Sequence, residues 1–380
     1  MEIYVVRPGD SVDSIAQTLD ANVEQIIYDN QLTYPYELAV GQALLVSGYV
    51  KEPDRTAAVS GYAYPFISPW VLEQTLPYLT ELRVFSYGFT MEGELLPPSY
   101  GEDDEWMIAQ AVRFDTQPIL TLTPFGPDGN FNNQLIHSVV NDEAYTANLI
   151  QNLLDTMGRK GYTGIDIDFE YIMAQDRDAF SAFVRQVAET MRAAGYHTSV
   201  ALAPKTSADQ AGLLYEGKDY RALGEAADSV LLMTYEWGYT YGPPMAVAPI
   251  NQVRRVVEYA VTEIPAGKID LGIPNYGYDW PLPYEKGVTK ASTINNIQAV
   301  RIAVEHGAEI RFDSLAESPY FTYEENGVGH EVWFEDVRSL QAKFRLMEEY
   351  NLRGCGYWQI MQWFRANWLL LQDYFYILKG

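Results

Sequence analysis

The chain has 380 residues, which is long enough for one large domain together with a small one. Its 26 basic and 51 acidic residues give a formal charge of −25, and such a surface repels phosphate backbones, so we expect no nucleic-acid partner. The single cysteine, Cys355, excludes an intrachain disulfide framework. The four histidines are scattered without the spacing of metal ligands, and we expect neither a metal nor a cofactor. No apolar run has transmembrane length and the N-terminus carries no signal-peptide pattern, so we expect no membrane partner.

The first 48 residues form a self-contained pattern of strand, helix, helix and strand. Strand-like runs at Ile3–Val6 and Ala43–Val46 enclose two helical segments, Ser11–Leu19 and Val23–Asn30. A polar stretch follows, and we predict a linker over residues 49–57.

This βααβ pattern resembles the LysM module. The resemblance is carried by the run Tyr4-Val-Val-Arg-Pro-Gly-Asp-Ser11 and by the run Val40-Gly-Gln-Ala-Leu44. LysM modules bind N-acetylglucosamine chains of peptidoglycan or chitin in a groove between two loops. The resemblance therefore implies glycan contacts in that groove, from Asp10, Ser11, Ile15, Leu32 and Tyr34. Asp10 and Ser11 also fit a helix cap, and the two roles are compatible because the capping loop forms one wall of the groove.

From Val59 onward, short apolar runs alternate with longer amphipathic segments, as in a parallel sheet with helical crossovers. Eight strands are predicted, at Val59–Tyr64, Leu82–Tyr87, Pro118–Thr123, Gly164–Phe169, Thr198–Ala203, Ser229–Thr234, Ile269–Pro274 and Cys355–Ile360. The sequence therefore predicts an α/β fold, a (β/α)8 TIM barrel over residues 58–380.

The interval after the seventh strand is too long for a simple crossover. We predict a small α+β insertion over residues from about 281 to 334, with a helix near Thr293–Glu305. Hairpin-like strands near Glu309–Phe312 and Tyr320–Tyr323 follow, with a turn at Asn326-Gly327.

The stretch from Gly161 to Tyr171 places three acids in alternation with apolar residues. In a strand, Asp166, Asp168 and Glu170 share one face. Three crowded carboxylates cost free energy, because like charges and desolvation both oppose ionisation. A solvated edge face would explain the two aspartates without any site. A place in the fourth strand of a barrel favours catalysis instead, since barrel enzymes carry their active sites at the C-terminal ends of the strands.

Polar and aromatic residues follow several other predicted strands at the same end of the barrel, as a sugar-binding cleft requires. Some of them are as consistent with core packing as with substrate contact. The candidates are Tyr62, Met233, Tyr235, Glu236, Asn275, Tyr276, Trp280 and Trp358.

The run Gly-Ile-Asp-Ile-Asp-Phe-Glu from Gly164 to Glu170 resembles the strand-four motif of family eighteen glycoside hydrolases, Asp-x-x-Asp-x-Asp-x-Glu. Tyr235 and Trp358 fall where that family has its strand-six tyrosine and strand-eight tryptophan, and the resemblance covers about residues 57–375. With a LysM-like module in front, the chain is most similar to the branch that degrades the peptidoglycan of the spore cortex.

The resemblance implies a retaining glycosidase that cleaves β-1,4 bonds of N-acetylglucosamine without an enzymic nucleophile, because the substrate's own acetamido oxygen attacks. It makes Glu170 the general acid, while Asp168 and Tyr235 hold the acetamide. Asp166 becomes a deeper partner, and its closeness to Asp168 forces one of the two to hold a proton. Trp358 forms the floor under the sugar.

Two departures from the family pattern stand out. Thr163 replaces the first aspartate of the motif, which we expect to alter the deep hydrogen-bond and charge network. Glu236 stands where many chitinases carry aspartate. Two other functions stay open: a chitinase, and a non-catalytic glycan-binding protein such as arises when the acid is lost. We expect a monomer that acts on a peptidoglycan or chitin-like glycan at the spore coat, the cortex or the cell wall.

Overall fold

The N-terminal unit folds as two helices packed against a two-stranded antiparallel sheet. The computed structural model describes residues 1–48, 52–98 and 103–379. The elements of the unit are β1 (Glu2–Val5), α1 (Val12–Leu19), α2 (Val23–Asp29) and β2 (Ala43–Val46). The predicted βααβ order is confirmed. Residues 49–51, the start of the predicted linker, lie outside the described residues.

The remaining strands belong to a barrel and to an inserted sheet. They are β3 (Thr56–Ala63), β4 (Glu81–Phe89), β5 (Leu95–Leu96), β6 (Gln117–Leu122), β7 (Gly164–Ile167), β8 (His197–Leu202), β9 (Ser229–Leu232), β10 (Ile269–Pro274), β11 (Gly277–Leu282), β12 (Ser292–Ile294), β13 (Arg311–Asp313), β14 (Ser318–Glu325), β15 (Val328–Trp333), β16 (Gly354–Trp358) and β17 (Tyr376–Ile377). The helices are α3 (Pro69–Thr75), α4 (Glu105–Arg113), α5 (Asn133–Asn141), α6 (Glu143–Lys160), α7 (Arg177–Ala193), α8 (Tyr220–Ala226), α9 (Ile250–Glu263), α10 (Asn296–Glu305), α11 (Val337–Tyr350) and α12 (Arg365–Tyr374).

The barrel is closed and parallel. Its strand order is β3-β4-β6-β7-β8-β9-β10-β16, and β3 pairs in parallel with both β4 and β16. The helices cover it with the apolar stripes that the sequence predicts; on α6, for example, Leu149, Leu153 and Met157 are fully buried at helical spacing. The predicted (β/α)8 barrel is therefore confirmed.

A five-stranded antiparallel sheet with the order β12-β11-β15-β14-β13 stands between β10 and α11 and carries α10. Its hairpin between β14 and β15 turns at Asn326 and Gly327, which have φ values of 52° and 77°, as the predicted turn requires. β11 begins at Gly277, earlier than the predicted start of the insertion, because Gly277–Leu282 pairs with β15 instead of extending the barrel strand.

The N-terminal unit lies directly against the barrel and the insertion. The Ile310 N–H donates to the Val40 carbonyl at 2.8 Å. The next residue, Gly41, has a φ of +83°, and a Cβ there would lie 1.8 Å from the Ile310 carbonyl oxygen, so the close approach requires glycine. Leu45 of β2 is buried in the same apolar cluster as the barrel helices. The N-terminal unit is thus packed against both the barrel and the insertion.

Candidate active site

Asp166 lies at the bottom of the site and is completely buried in the barrel. Its carboxylate accepts hydrogen bonds from the hydroxyls of Tyr62 at 2.7 Å and Ser199 at 2.5 Å, and from the guanidinium of Arg83 at 3.1 Å. Tyr62, predicted to contact substrate, is only 2% exposed, so its hydroxyl holds Asp166 and does not reach a sugar. Thr163 is exposed at the start of β7 and donates to the Pro118 carbonyl, so it is not part of this deep network.

Arg83 connects Asp166 to a second layer of charges inside the barrel. It lies 3.1 Å from Glu81 and 3.8 Å from Asp270, and Arg353 reaches the same two acids at 2.6 and 2.5 Å. Burial alone would raise the pKa of Glu81, but Arg353 and Arg83 lower that pKa to about 2. At Asp270 burial outweighs the arginines and raises the pKa to about 6. Sequence reasoning missed this network, because no local pattern marks it.

Asp168 lies above Asp166, just past the end of β7. The strand ends at Ile167, two residues before the predicted end, although the Asp168 N–H still donates to the Leu122 carbonyl at 2.9 Å. Burial, followed by the charges of Asp166 and Glu170, raises the pKa of Asp168 to about 7. Asp168 therefore takes up a proton more readily than an ordinary aspartate does. Its Oδ1 is buried and has no hydrogen-bond partner among the described residues.

Glu170 is half-buried beside a cleft with about 530 Å³ of open space. Burial raises the pKa of its carboxyl group, as a proton donor at neutral pH requires. Phe169, between the two acids, points away into the core and stacks on Phe89, Phe180 and Phe183. The cleft is lined by Glu170, Ala203, Pro204, Leu214, Tyr215, Met233, Tyr235, Glu236 and Trp237.

Residues after β9 line the same cleft as Glu170. Met233 and Tyr235 are half-buried, and burial together with the charges of Asp168, Asp166 and Glu170 raises the pKa of the Tyr235 hydroxyl. The structure therefore brings Tyr235 together with all three predicted acids.

Glu236 follows with a positive φ of 66°, and its carboxylate accepts hydrogen bonds from the hydroxyls of Tyr276 at 2.5 Å and Tyr278 at 2.9 Å. Burial raises the pKa of this glutamate, whereas the two tyrosine hydrogen bonds lower it. Tyr276 is 5% exposed. Tyr276 does not line the cleft and affects it through the hydrogen bond that orients Glu236.

Trp358 ends β16 and is half-buried at the mouth of the barrel. Its indole packs edge-on against the rings of Phe85, Tyr62 and Tyr64, with centroid distances of 4.9, 5.6 and 6.2 Å. This aromatic support fixes the orientation of the indole, while part of the residue stays open to the barrel mouth.

Two residues that were predicted to contact substrate are buried away from the cleft. Trp280 is 0% exposed, because it lies on β11 in the core between the insertion and the loop after β9, and its indole N–H donates to the Gly242 carbonyl. Asn275 is 5% exposed, and its amide donates to the carbonyls of Gln359 at 3.1 Å and Gln362 at 3.0 Å. Asn275 thus shapes the loop after Trp358, and neither residue faces the cleft.

In the N-terminal unit, some of the residues predicted to contact a glycan lie at the surface and one is buried in the core. Tyr34 is 84% exposed and Leu32 is half-buried. The Asp10 carboxylate accepts from the Arg7 N–H at 2.7 Å, while Ser11 caps α1 through the Ser14 N–H. Ile15 is 1% exposed, so it packs in the core of the unit and the prediction that it contacts a glycan is wrong.

The functional groups of the candidate site are carboxyl and hydroxyl groups. Within residues 1–48, 52–98 and 103–379, no group of three potential metal ligands is placed to hold an ion. In the same ranges, every helix is too short or too polar to span a membrane.

The site gathers acids, a tyrosine and a tryptophan at the C-terminal ends of barrel strands, and this arrangement is that of a glycosidase. The chain belongs to the glycosyl hydrolases family 18, whose model matches residues 121–362. The LysM domain model matches residues 4–47. Both domains indicate a glycan ligand.

The chain is similar over its full length to a cortical fragment-lytic enzyme of Bacillus subtilis, with 38% identity covering 100% of this chain and 99% of the relative. The crystal structure of the spore cortex-lytic enzyme SleL from Bacillus megaterium superposes with a TM-score of 0.93 at 33% identity and covers 100% of this chain and 99% of that one. A chitinase from Chromobacterium violaceum superposes with a TM-score of 0.76 at 25% identity and covers 84% of this chain and 99% of that one.

Proposed function

We propose that the protein is a retaining β-N-acetylglucosaminidase that cleaves the peptidoglycan of the spore cortex. The observation that carries this proposal is the cleft that Glu170, Met233 and Tyr235 line together, with Asp168 and Asp166 close enough to act on the Tyr235 hydroxyl. The similarity to the cortical fragment-lytic enzyme over the whole chain supports the cortex as the substrate.

Glu170 is the general acid. Its raised pKa keeps a proton available, and that proton passes to the glycosidic oxygen as the bond to the anomeric carbon breaks. The carbonyl oxygen of the substrate's 2-acetamido group attacks the same carbon and forms an oxazolinium ion. A water molecule then gives a proton to the Glu170 carboxylate and opens the ion from the face that the leaving group occupied. The anomeric configuration is retained without an enzymic nucleophile, which departs from the usual two-carboxylate scheme.

Asp168 and Tyr235 hold the acetamide in position for this attack. The buried Oδ1 of Asp168 has no partner among the described residues and accepts the acetamido N–H. The Tyr235 hydroxyl, whose raised pKa keeps its proton in place, donates to the acetamido oxygen. As positive charge develops on the acetamide, Asp168 stabilises it, so the interaction is strongest in the transition state.

The walls of the cleft hold the sugar. Trp358 offers its partly exposed ring as the floor, as aromatic groups do for the apolar faces of sugars. Met233 lines the space for the acetamido methyl group. Glu236, oriented by Tyr276, accepts hydrogen bonds from sugar hydroxyls. The LysM unit, through Tyr34, Asp10 and Ser11, binds the same polymer and raises the local concentration of cleavable bonds.

A chitinase is the second candidate, favoured by the superposition with the chitinase from Chromobacterium violaceum. Digestion of purified cortex fragments and of chitin oligomers by the same preparation separates the two. We expect cortex fragments to yield products with new N-acetylglucosamine reducing ends, identified by mass spectrometry. Degradation of chitin oligomers with intact cortex fragments would contradict the proposal, and binding of both polymers without hydrolysis would indicate a lectin. We further propose that the protein acts as a monomer at the spore cortex or cell wall.

A further inference from the structure

Lys218 is a completely buried lysine in the segment between β8 and α8. Burying an ammonium group costs free energy unless the charge is paired. Lys218 nevertheless forms no ion pair among the described residues, where close pairs such as Lys343 with Glu335 at 2.8 Å do occur. Packing alone gives no reason for a cation at this position, so a role at the neighbouring site has to be considered.

The ammonium group is instead bound by two main-chain carbonyls. Its Nζ donates to the carbonyl of Phe169 at 2.5 Å and to that of Ala201 at 3.2 Å. Phe169 is the residue between Asp168 and Glu170, in the segment that follows the end of β7. A cation on this carbonyl therefore holds the backbone from which both acids project.

The segment that carries Lys218 is itself fixed against the catalytic loop. Gly217 lies so close to Ile172 that a Cβ would be 2.4 Å from the Ile172 carbonyl oxygen. The carbonyl of Lys218 accepts from the ammonium of Lys205 at 2.9 Å, and Lys205 is also buried. The charge of Lys218 thus has a defined place beside the backbone that carries the two acids.

Electrostatics agree with this placement. Burial lowers the pKa of Lys218 to about 8, and the charges of Asp168 and Glu170 oppose that decrease. In turn, the Lys218 charge opposes the increase that burial causes in the pKa of both acids. The ring of Phe180 covers the ammonium at 5.8 Å. The other titratable groups that act on the two acids are Asp166, Arg83 and Tyr171, and Tyr235 and Tyr62 lie in the same field.

We propose that Lys218 is a positioning residue for the glycosidase reaction, whose ammonium holds the Phe169 carbonyl and sets the protonation balance of Asp168 and Glu170. The inference rests on the proposed function. Glu170 has to give a proton in the first half of the reaction and take one back in the second half. A fixed cation beside it stabilises the carboxylate that exists between the two steps, while the hydrogen bond to Phe169 keeps both acids in register.

The test compares the pH dependence of kcat on cortex fragments for the full-length wild type, three variants of Lys218 and one control variant. Lys218→Gln keeps a hydrogen-bond donor but removes the charge. An opposite charge at short range lowers a carboxyl pKa by about 1–3 units, so loss of the Lys218 charge should raise the pKa of both acids. We therefore expect the acidic limb and the alkaline limb of the kcat profile to move to higher pH by about one unit. Lys218→Arg keeps the charge and should leave both limbs in place. Lys218→Met loses charge and donor, and its kcat should fall below that of Lys218→Gln at an unchanged KM.

Lys268→Met is the matched control, because this half-buried lysine also donates to two main-chain carbonyls, those of Gly224 at 2.9 Å and Ala227 at 2.8 Å, but directly precedes β10, at the end of the barrel opposite the site. Its pH limbs should coincide with those of the wild type. If the wild type is active and the pH limbs of Lys218→Gln coincide with those of the wild type, the inference about Lys218 is overturned and the proposed function is not. A wild type that hydrolyses no fragment would overturn the proposed function as well. If Lys218→Gln does not fold, as judged by circular dichroism, Lys218→Arg decides: limbs displaced despite the retained charge would refute the electrostatic role.

Discussion

Asp29 and Arg365 join the LysM unit to the barrel through a buried ion pair, with Asp29 Oδ1 2.9 Å from Arg365 Nε. The Asp29 side chain is 1% exposed, and the Arg365 guanidinium also covers the ring of Tyr28 at 4.2 Å. Arg365 begins α12, which follows β16 and therefore starts at the face of the barrel that carries the site. The glycan-binding unit is thus fixed to the active-site face and is held by more than the segment that connects the two.

Replacement of this arginine should loosen the unit without harming the barrel. Breaking a buried ion pair leaves an uncompensated charge, and because Arg365 keeps 18% exposure we expect Arg365→Met to cost about 2 kcal/mol. Hydrogen exchange measured by mass spectrometry should rise in residues 1–48 and stay constant in the barrel strands. Arg254→Met, in the exposed pair with Glu349, is the control and should change stability by less than about 1 kcal/mol. Equal exchange in both variants would show that the ion pair does not hold the unit.

Arg83→Met should destabilise the barrel itself. Arg83 lies within 3.1 Å of Glu81 and Asp166 and 3.8 Å from Asp270. Its removal leaves the buried Asp166 without a cation, while Glu81 and Asp270 keep only Arg353. We expect a loss of about 3–5 kcal/mol in the free energy of unfolding, measured by denaturant titration. Arg113→Met, from a pair in which both side chains are largely exposed, should fall within about 1 kcal/mol of the wild type. Similar unfolding midpoints for the two variants would contradict the role of the network.

Asp168 gives stability a defined dependence on pH. Its pKa in the folded protein, about 7, lies above the ordinary value of 3.8, mainly because of burial. The stability that its protonated form contributes is therefore fully present below the ordinary pKa and is lost as pH rises through about 7. Asp168→Asn cannot ionise, so its Tm should exceed that of the wild type above this pH, and the gain should diminish as the pH falls toward the ordinary value. The exposed Asp209→Asn is the control, and a Tm difference independent of pH for Asp168→Asn would refute the prediction.

Tyr235→Phe should affect turnover more than binding. Its hydroxyl is proposed to act on the acetamido oxygen as charge develops, and removal of one such donor lowers kcat by about 10²-fold or more. The expected result is a lower kcat at a nearly constant KM on cortex fragments, with the fold retained. Tyr241→Phe, at an exposed tyrosine, should match the wild type. A raised KM at wild-type kcat would assign Tyr235 to ground-state binding instead.

Local sequence patterns were sufficient to predict the barrel strands and the three acids, because alternation and βα periodicity are local properties. The partners of Asp166 were beyond such patterns: Arg83 and Ser199 lie 83 and 33 positions away in the chain and meet it only when the barrel closes. The residues after β10 continue in an extended, aromatic pattern, and this pattern favours a position for Trp280 at the rim. The pairing of β11 with β15, which buries Trp280, depends on a distant strand. Lys218 belongs to a loop with no regular period, so no local pattern indicates that it is buried.

The most direct test of the catalytic assignment is Glu170→Gln, which keeps the shape of the side chain and removes the transferable proton. We expect the release of N-acetylglucosamine reducing ends from cortex fragments to fall by about 10²–10⁴-fold, the usual contribution of a general acid. Cosedimentation with insoluble peptidoglycan should be unchanged, and Glu263→Gln on the outer surface should retain activity. Hydrolysis by Glu170→Gln at the wild-type rate would contradict the assignment.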